Sequence, residues 1–347
     1  MQKRGWLLLS VAALGLIILI GISIFNQAFK NNILYSEIPH EITIRDYESF
    51  DQILEKIAIK KILIDTSSFA LTAKIMGYAK GKIRPGRYLV KYGLSNYKII
   101  AKLRSGQQDP VQLKINNVRD ITQLCSKLSN YISLDSTTLL NKLSDSLYLH
   151  SIGYTKEDIL CLFIPNTYEM YWNISFDNFI KRMITENEKF WSKENRKSKA
   201  AERNLKPNEV YTLASIVEKE TTNADEKPTI AGVYLNRLKI GMKLQADPTV
   251  VFALGVSGIQ RVLLEHLSFK SPFNTYQIEG LPPGPIYMPS VNSIDAVLNS
   301  EKHDYIFFCA KPGYDGSHLF ATGIDQHYQN ARIYQKWLNA EKIRSSI

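Results

Sequence analysis

The sequence predicts an α+β protein behind one N-terminal transmembrane helix. Three observations carry this reading. An uncharged apolar run of roughly 20 residues lies near the start, at 6–25. Between residues 41 and 142, short stretches of alternating polarity each lead into an amphipathic helical pattern. From 176 onward, long helical patterns alternate with loops dense in Pro and Gly and close on a two-stranded hairpin. The 347 residues are enough for more than one domain. The expected divisions are a tail over 1–5, a transmembrane helix over 6–25, a small strand-and-helix region over 26–150 and a larger domain over 151–347.

Composition narrows the class. Hydrophobic residues make up 45% and charged residues 22%, which is globular rather than disordered material. The net charge of +10 suits an anionic polymer or lipid surface. The Lys residues are scattered and no nucleic-acid motif is present, so no nucleic-acid partner is expected. The three cysteines, Cys125, Cys161 and Cys309, are odd in number and far apart. They make neither a disulfide framework nor a metal-ligand set, and no metal or cofactor is expected. Cys125 and Cys309 read as small core residues, and one disulfide stays open outside the cell.

Lys3 and Arg4 precede the apolar run, and Asn26, Gln27, Asn31 and Asn32 follow it. The positive-inside rule puts the N-terminus in the cytoplasm and the rest outside. A cleaved signal peptide is the rival, but the run is long for one and no small-x-small site follows. Next come three echoes of strand, turn and helix. Strands at 41–45, 86–90 and 111–115 lead to helices opened by Ser49, Ser95 and Asp120 as N-caps. Such modules often bind; the plain alternative is a spacer.

A helix is expected at 136–147 and a short one from Thr155. Pro165 breaks regular structure across 163–168. Tyr168, Tyr171 and Trp172 either stack on a sugar face or belong to the core. A helix capped by Ser175 spans 176–191, and the charged stretch 192–203 reads as a helix end or linker. The stretch 213–221, LASIVEKET, reads as the central helix, with Pro207 in its first turn. Leu213, Ile216 and Val217 form its apolar stripe. Glu218 lies off that stripe among Ala214, Ser215, Thr221 and Thr222, which leave room for an approaching group. The stripe runs onto Glu220, and the two carboxylates, two positions apart, point in different directions. A lone Glu on a helix is usually a solvated charge. Downstream, Pro228 opens a helix and Asp247-Pro248 starts another. The stretches 271–276 and 280–286 are Pro-fixed loops, and loops of this kind are usually functional. Strands at 304–310 and 317–322 form a hairpin, and a last helix spans 325–341.

Five motifs stand in order: ASIVEKET from Ala214, LQADPTV from Leu244, FNTY from Phe273, GLPPGPI from Gly280 and DGSHLF from Asp315. Together they closely resemble the endolytic murein transglycosylase, or YceG-like, family, most firmly over 207–332. The resemblance implies a LysM-like α/β module after the anchor and an α+β catalytic domain. It implies cleavage of peptidoglycan glycan strands between N-acetylmuramic acid and N-acetylglucosamine, leaving a 1,6-anhydro end. It places the chain in the bacterial inner membrane with its catalytic domain outside the cytoplasm, near cell-wall synthesis proteins. It makes Glu218 the catalytic acid/base and puts Gln245, Asp247, Asn274, Tyr276 and His318 along the cleft, with Glu220 a candidate supporting group. Met288 and Tyr328 depart from the family pattern, which tends to have Asn at each position.

The chemistry agrees with the residues. A hydrolytic glycosidase needs two facing carboxylates. A lytic transglycosylase needs one, because the muramyl C6 hydroxyl attacks C1 within the same sugar. An acid of this kind calls for a raised pKa in a poorly solvated site. Asn274 or Gln245 could hold the N-acetyl group. Asp247 is the second carboxylate of a muramidase, or an N-cap. A wall-binding scaffold without cleavage is the remaining alternative.

Overall fold

The computed structural model describes residues 2–256, 262–313 and 315–345. It is a mixed α+β chain with an N-terminal apolar helix long enough to suggest a membrane anchor. The chain divides into two compact units. The first takes Met1–Gln112, Tyr131–Ser133 and Glu169–Ile174; the second takes Leu113–Asn130, Leu134–Tyr168 and Ser175–Ile347.

The first unit begins with α1 (Gln2–Phe29), whose apolar span is Leu9–Phe29. Asn26 and Gln27 therefore do not end the helix. The unit continues with β1 (His40–Ile44), α2 (Phe50–Ile59), α3 (Thr66–Ile75), β2 (Gly86–Val90) and α4 (Asn96–Ser105). β1 and β2 pair antiparallel, with Ile42 opposite Tyr88. Ser49 caps α2 in a reciprocal box with Gln52, and Ser95 caps α4, each accepting an orphan N–H of the first turn. The sequence reading passed over α3, whose signal is Asp65 accepting from Ser67 and Ser68 N–H. Ile42, Ile44, Ile53, Ile57, Phe69 and Tyr88 form the core of the unit.

Strands β3 (Val111–Ile115) and β4 (Asn166–Met170) form a second two-stranded sheet. Here the sequence reading needs correction, because Pro165 does not abolish regular structure across 163–168. It stands just ahead of β4, where a missing N–H removes nothing from the ladder. Tyr168 is core, with its hydroxyl donating to Ile164 O, while Tyr171 is exposed.

The second unit is mainly helical. It holds α5 (Ile121–Leu128), capped by Asp120, then α6 (Ser136–Lys142) and α7 (Ser146–Ser151). The single helix expected over 136–147 is thus two, because Asp145 starts a new one by capping Leu147 and Tyr148 N–H. Next come α8 (Phe176–Ser192), capped by Ser175, and α9 (Arg196–Glu202) in the stretch read as a helix end or linker. Then follow α10 (Pro207–Glu220), α11 (Lys227–Lys239), α12 (Asp247–Leu254), the short α13 (Leu264–Leu267) and α14 (Val291–Leu298). The hairpin β5 (Phe307–Ala310) and β6 (His318–Ala321) pairs Phe308 with Phe320, and α15 (Ile324–Ser345) ends the described chain.

Helix α10 is the axis of this unit. Every residue from Val210 to Val217 is buried, more than the one-sided stripe expected, because α9, α11, α12 and α14 all pack on it. Pro207 sits in its first turn, and Glu209 accepts the Lys206 N–H. Cys125 and Cys161 are buried, Cys309 is half-buried, and all three are free thiols.

Candidate active site

The last turn of α10 emerges from the core just where the buried run stops. Glu218 is half-buried there, and four hydrogen bonds converge on its Oε2. Ser290 donates from its hydroxyl at 2.6 Å and from its backbone N–H at 3.1 Å, Ser293 Oγ donates at 2.5 Å, and Lys227 Nζ lies at 3.0 Å. None of the four reaches Oε1. Among the described residues, the carboxylate is thus fixed through one oxygen.

Each donor is placed by an element end. Ser290 is the N-cap of α14; its Oγ accepts Ser293 N–H and sends its own proton to Glu218. Ser293 is fully buried one turn on. The Pro-rich loop ahead of Ser290 is tied down by Ile286 N–H on Ser215 Oγ at 3.0 Å and Met288 N–H on Val118 O at 2.9 Å. Met288 is buried, so the departure from the family pattern there fills core, whereas Tyr328 is exposed on α15. Lys227 opens α11 and is only 6% exposed, so its charge needs a buried partner, which Glu218 provides.

The electrostatics correct one expectation. Burial pushes the Glu218 pKa up, but the bonds from Ser290, Ser293 and Lys227 outweigh it and hold the carboxyl below the ordinary glutamate value. The raised group is its neighbour. Desolvation lifts Glu220 to about 7, against the opposing bond from Tyr234 Oη at 2.7 Å, with the Asp247 charge adding to the rise.

Glu218, Glu220, Thr222, Lys311 and His318 line one cleft of about 390 Å³. His318 is held from the hairpin by Glu226, which accepts from His318 Nδ1 at 2.9 Å and from its backbone N–H at 2.8 Å. Ser290 also borders a second recess of about 290 Å³, with Asn116, Asn166 and Met288. Glu218 thus borders one recess and its partner Ser290 the other.

The other sequence-derived residues fall around a different contact. Asp247 is the first residue of α12 rather than its N-cap, which is Ala246, and its Oδ1 accepts from Tyr276 Oη at 2.7 Å. Burial and that bond push the Tyr276 phenol up. Gln245 is exposed with φ +49, a left-handed conformation stabilised by its N–H on Thr275 O. Asn274 is fully buried, and its Nδ2 donates to two carbonyls at and just past the end of α13, Leu267 O and Phe269 O. Its amide closes the 271–276 loop instead of facing a ligand. Among the described residues, no His, Cys, Asp and Glu cluster suits a metal ion.

Sequence reasoning missed Lys227, Ser290, Ser293 and Glu226. Ser290 carries a cap signal ahead of an apolar run, but nothing local ties it to a residue 72 positions away.

The site is thus a half-buried carboxylate beside a cleft, held by a helix-capping serine, a second serine and a lysine. The profile of the YceG-like family matches residues 42–333, and the chain belongs to that family. An endolytic murein transglycosylase of Bacillus subtilis (strain 168) is 28% identical over 315 residues, covering 86% of each chain. The endolytic murein transglycosylase of Streptococcus pneumoniae serotype 2 (strain D39) is 26% identical over 295 residues, which is 76% of this chain and 52% of that longer protein. A crystal structure of a yceG-like protein from Listeria monocytogenes superposes with a TM-score of 0.54 at 25% identity, over 85% of this chain and 99% of that one.

Proposed function

We propose that this chain is a membrane-anchored endolytic lytic transglycosylase of peptidoglycan, with Glu218 as its general acid/base. The observation that carries the reading is Glu218 Oε2 clamped by four bonds, none of which among the described residues reaches Oε1, with one recess at Glu218 and a second at Ser290 to take a strand. Glu218 protonates the oxygen linking N-acetylmuramic acid C1 to N-acetylglucosamine, and that bond breaks. The resulting carboxylate takes the proton of the muramyl C6 hydroxyl, which attacks C1 and closes the 1,6-anhydro ring. No water is consumed. Glu218 is charged at rest, so its proton arrives with substrate, when the glycan covers the cleft and strengthens desolvation. His318 lines that cleft, and Gln245, Asp247 and Tyr276 border the strand further along. Asn274 shapes the loop that holds Tyr276, whose backbone N–H it accepts.

The anchor is the apolar span Leu9–Phe29 of α1, with the N-terminus in the cytoplasm, and the chain beyond it lies outside the bacterial inner membrane. The region 26–150 contains a LysM-like module that holds glycan, a reading supported by its strand-and-helix build. The region 151–347 is catalytic. Wall-synthesis proteins are the expected neighbours.

Glu220 favours one second reading, a muramidase on the same scaffold. It is a carboxyl with a pKa near 7 that lines the same cleft as the charged Glu218. Mass spectrometry of a peptidoglycan digest separates the two. Anhydro-ended fragments support the transglycosylase, and fragments heavier by one water support the muramidase. A folded protein that binds sacculi and releases nothing would overturn both in favour of a scaffold.

A further inference from the structure

The foot of α1 is built into the first unit rather than hung from it. Asn96 Nδ2 donates to Gln27 O at 2.9 Å, and Asn32 Nδ2 donates to Asn96 Oδ1 and to Asp65 O, each at 2.7 Å. Asp65 N–H returns a bond to Asn32 Oδ1 at 2.8 Å. Both α3 and α4 pack against α1. At this foot, Phe29 stacks on Tyr97 of α4, with ring centroids 5.0 Å apart and planes 26° apart, and Phe25 lies 4.6 Å from Phe29.

The apolar span ends at this stack. Leu9–Phe29 is 21 residues, or ~32 Å of helix, which matches a hydrocarbon core of ~30 Å. Trp6 stands just before the span, and Phe29 with Tyr97 marks its far end, as interfacial aromatics do. Tyr97 is not on the span itself, so the boundary of the bilayer falls across α4 as well as α1. Beside it, Leu71 (41% exposed) and Ile75 (59%) project from α3, on the helical face that also carries Ser68. Ser68 Oγ accepts from Asn96 Nδ2 at 3.0 Å, which places that face at the foot of α1. Neither α3 (TSSFALTAKI) nor α4 (NYKIIAKLRS) contains a carboxylate, while Lys30, Lys74 and Lys98 are exposed.

We propose that the α3–α4 face around the foot of α1 is a lipid-docking surface, with Tyr97, Leu71 and Ile75 seated among headgroups and Lys30, Lys74 and Lys98 attracting anionic phosphates. The proposal rests on the membrane-anchor reading. It is a property of the first unit alone, and it holds that unit at the bilayer surface instead of letting it swing on a tether.

The test uses the full chain in vesicles of phosphatidylglycerol mixed with phosphatidylcholine. p-Benzoylphenylalanine is placed singly at Ile20, Leu71, Tyr97 and Tyr47, and lipid adducts are read by mass spectrometry after irradiation. Ile20 reports the anchor, and the fully exposed Tyr47, outside α3 and α4, reports background. Adducts at Leu71 and Tyr97 several-fold above Tyr47, lower in vesicles without phosphatidylglycerol, are the expected result. An adduct at Ile20 with Leu71 and Tyr97 at the Tyr47 level would overturn the docking while leaving the anchor standing. Loss at Ile20 as well would overturn both. A second variant guards against a disturbed fold: Lys74→Glu with Lys98→Glu should lower the Leu71 adduct and leave Ile20 unchanged.

Discussion

Ser290 grips Glu218 twice, with its hydroxyl at 2.6 Å and its backbone N–H at 3.1 Å, both on the same carboxylate oxygen. One residue therefore caps a helix and orients the Glu218 carboxylate, so the start of α14 and the end of α10 are tied together. With Ser293 and Lys227 added, the carboxylate is held in one place, the preorganisation that the proposed acid/base role requires.

The first prediction concerns pH. A free enzyme whose acid must be protonated loses kcat/KM as pH rises through that group's pKa. Glu218 is held below the ordinary value partly by Lys227, so Lys227→Met should raise its pKa and move the falling limb to higher pH. A kcat/KM profile on purified glycan strands checks this. An unmoved limb would show that Lys227 does not set the charge of Glu218.

Glu220 predicts a pH-dependent stability. Its folded pKa, about 7, lies above its ordinary value of 4.5. The folded state therefore binds more protons than the unfolded state between those values, and stability must fall with rising pH there. The contribution is complete below the ordinary value and gone once pH has passed through about 7. Glu220→Gln, which keeps a partner for Tyr234 without a charge, should flatten this part of the curve in denaturant melts at several pH values. A variant as pH-dependent as the parent would refute the assignment.

Arg196 ties α9 to the helix that carries Ser293. It is 5% exposed and makes paired bonds to Asp295, from Nε at 2.9 Å and Nη2 at 3.1 Å. Arg196→Met should cost about 1.5–3 kcal/mol, because Asp295 keeps some water and loses only part of its solvation partner. The unfolding midpoint measures the loss, and a change within about 0.5 kcal/mol would mean the pair carries little.

Gly284 is a steric prediction. A Cβ built there would meet Glu157 O and C closer than any real contact, both of them backbone atoms that cannot step aside. Gly284→Ala should destabilise by about 1–3 kcal/mol or more and loosen the loop that delivers Ser290. Activity should fall with stability. Unchanged melting would show that the loop has room to move.

What could be read from the sequence was local. Ser49, Ser95, Asp120 and Ser175 cap helices because each bonds the backbone three residues on, which a short window contains. Glu218 stood out for the same reason, as a carboxylate leaving an apolar stripe. The partners of Glu218 did not stand out, since Ser290 and Ser293 come from 72 and 75 residues away. The expected raised pKa fell on Glu220, onto which the stripe itself ran. The sheet of β3 and β4 was invisible because its strands are far apart in sequence and Pro165 stands at the edge of one. Asn274 looked like a ligand-facing donor because a buried, loop-closing amide and an exposed one have the same letter.

The most direct test compares the full chain in detergent, as parent and as Glu218→Gln, on purified peptidoglycan with products read by mass spectrometry. Circular dichroism and melting would show both proteins folded. The account predicts anhydro-ended internal fragments from the parent and none above background from the variant. Anhydro-ended fragments released by Glu218→Gln at the parent's rate would contradict it.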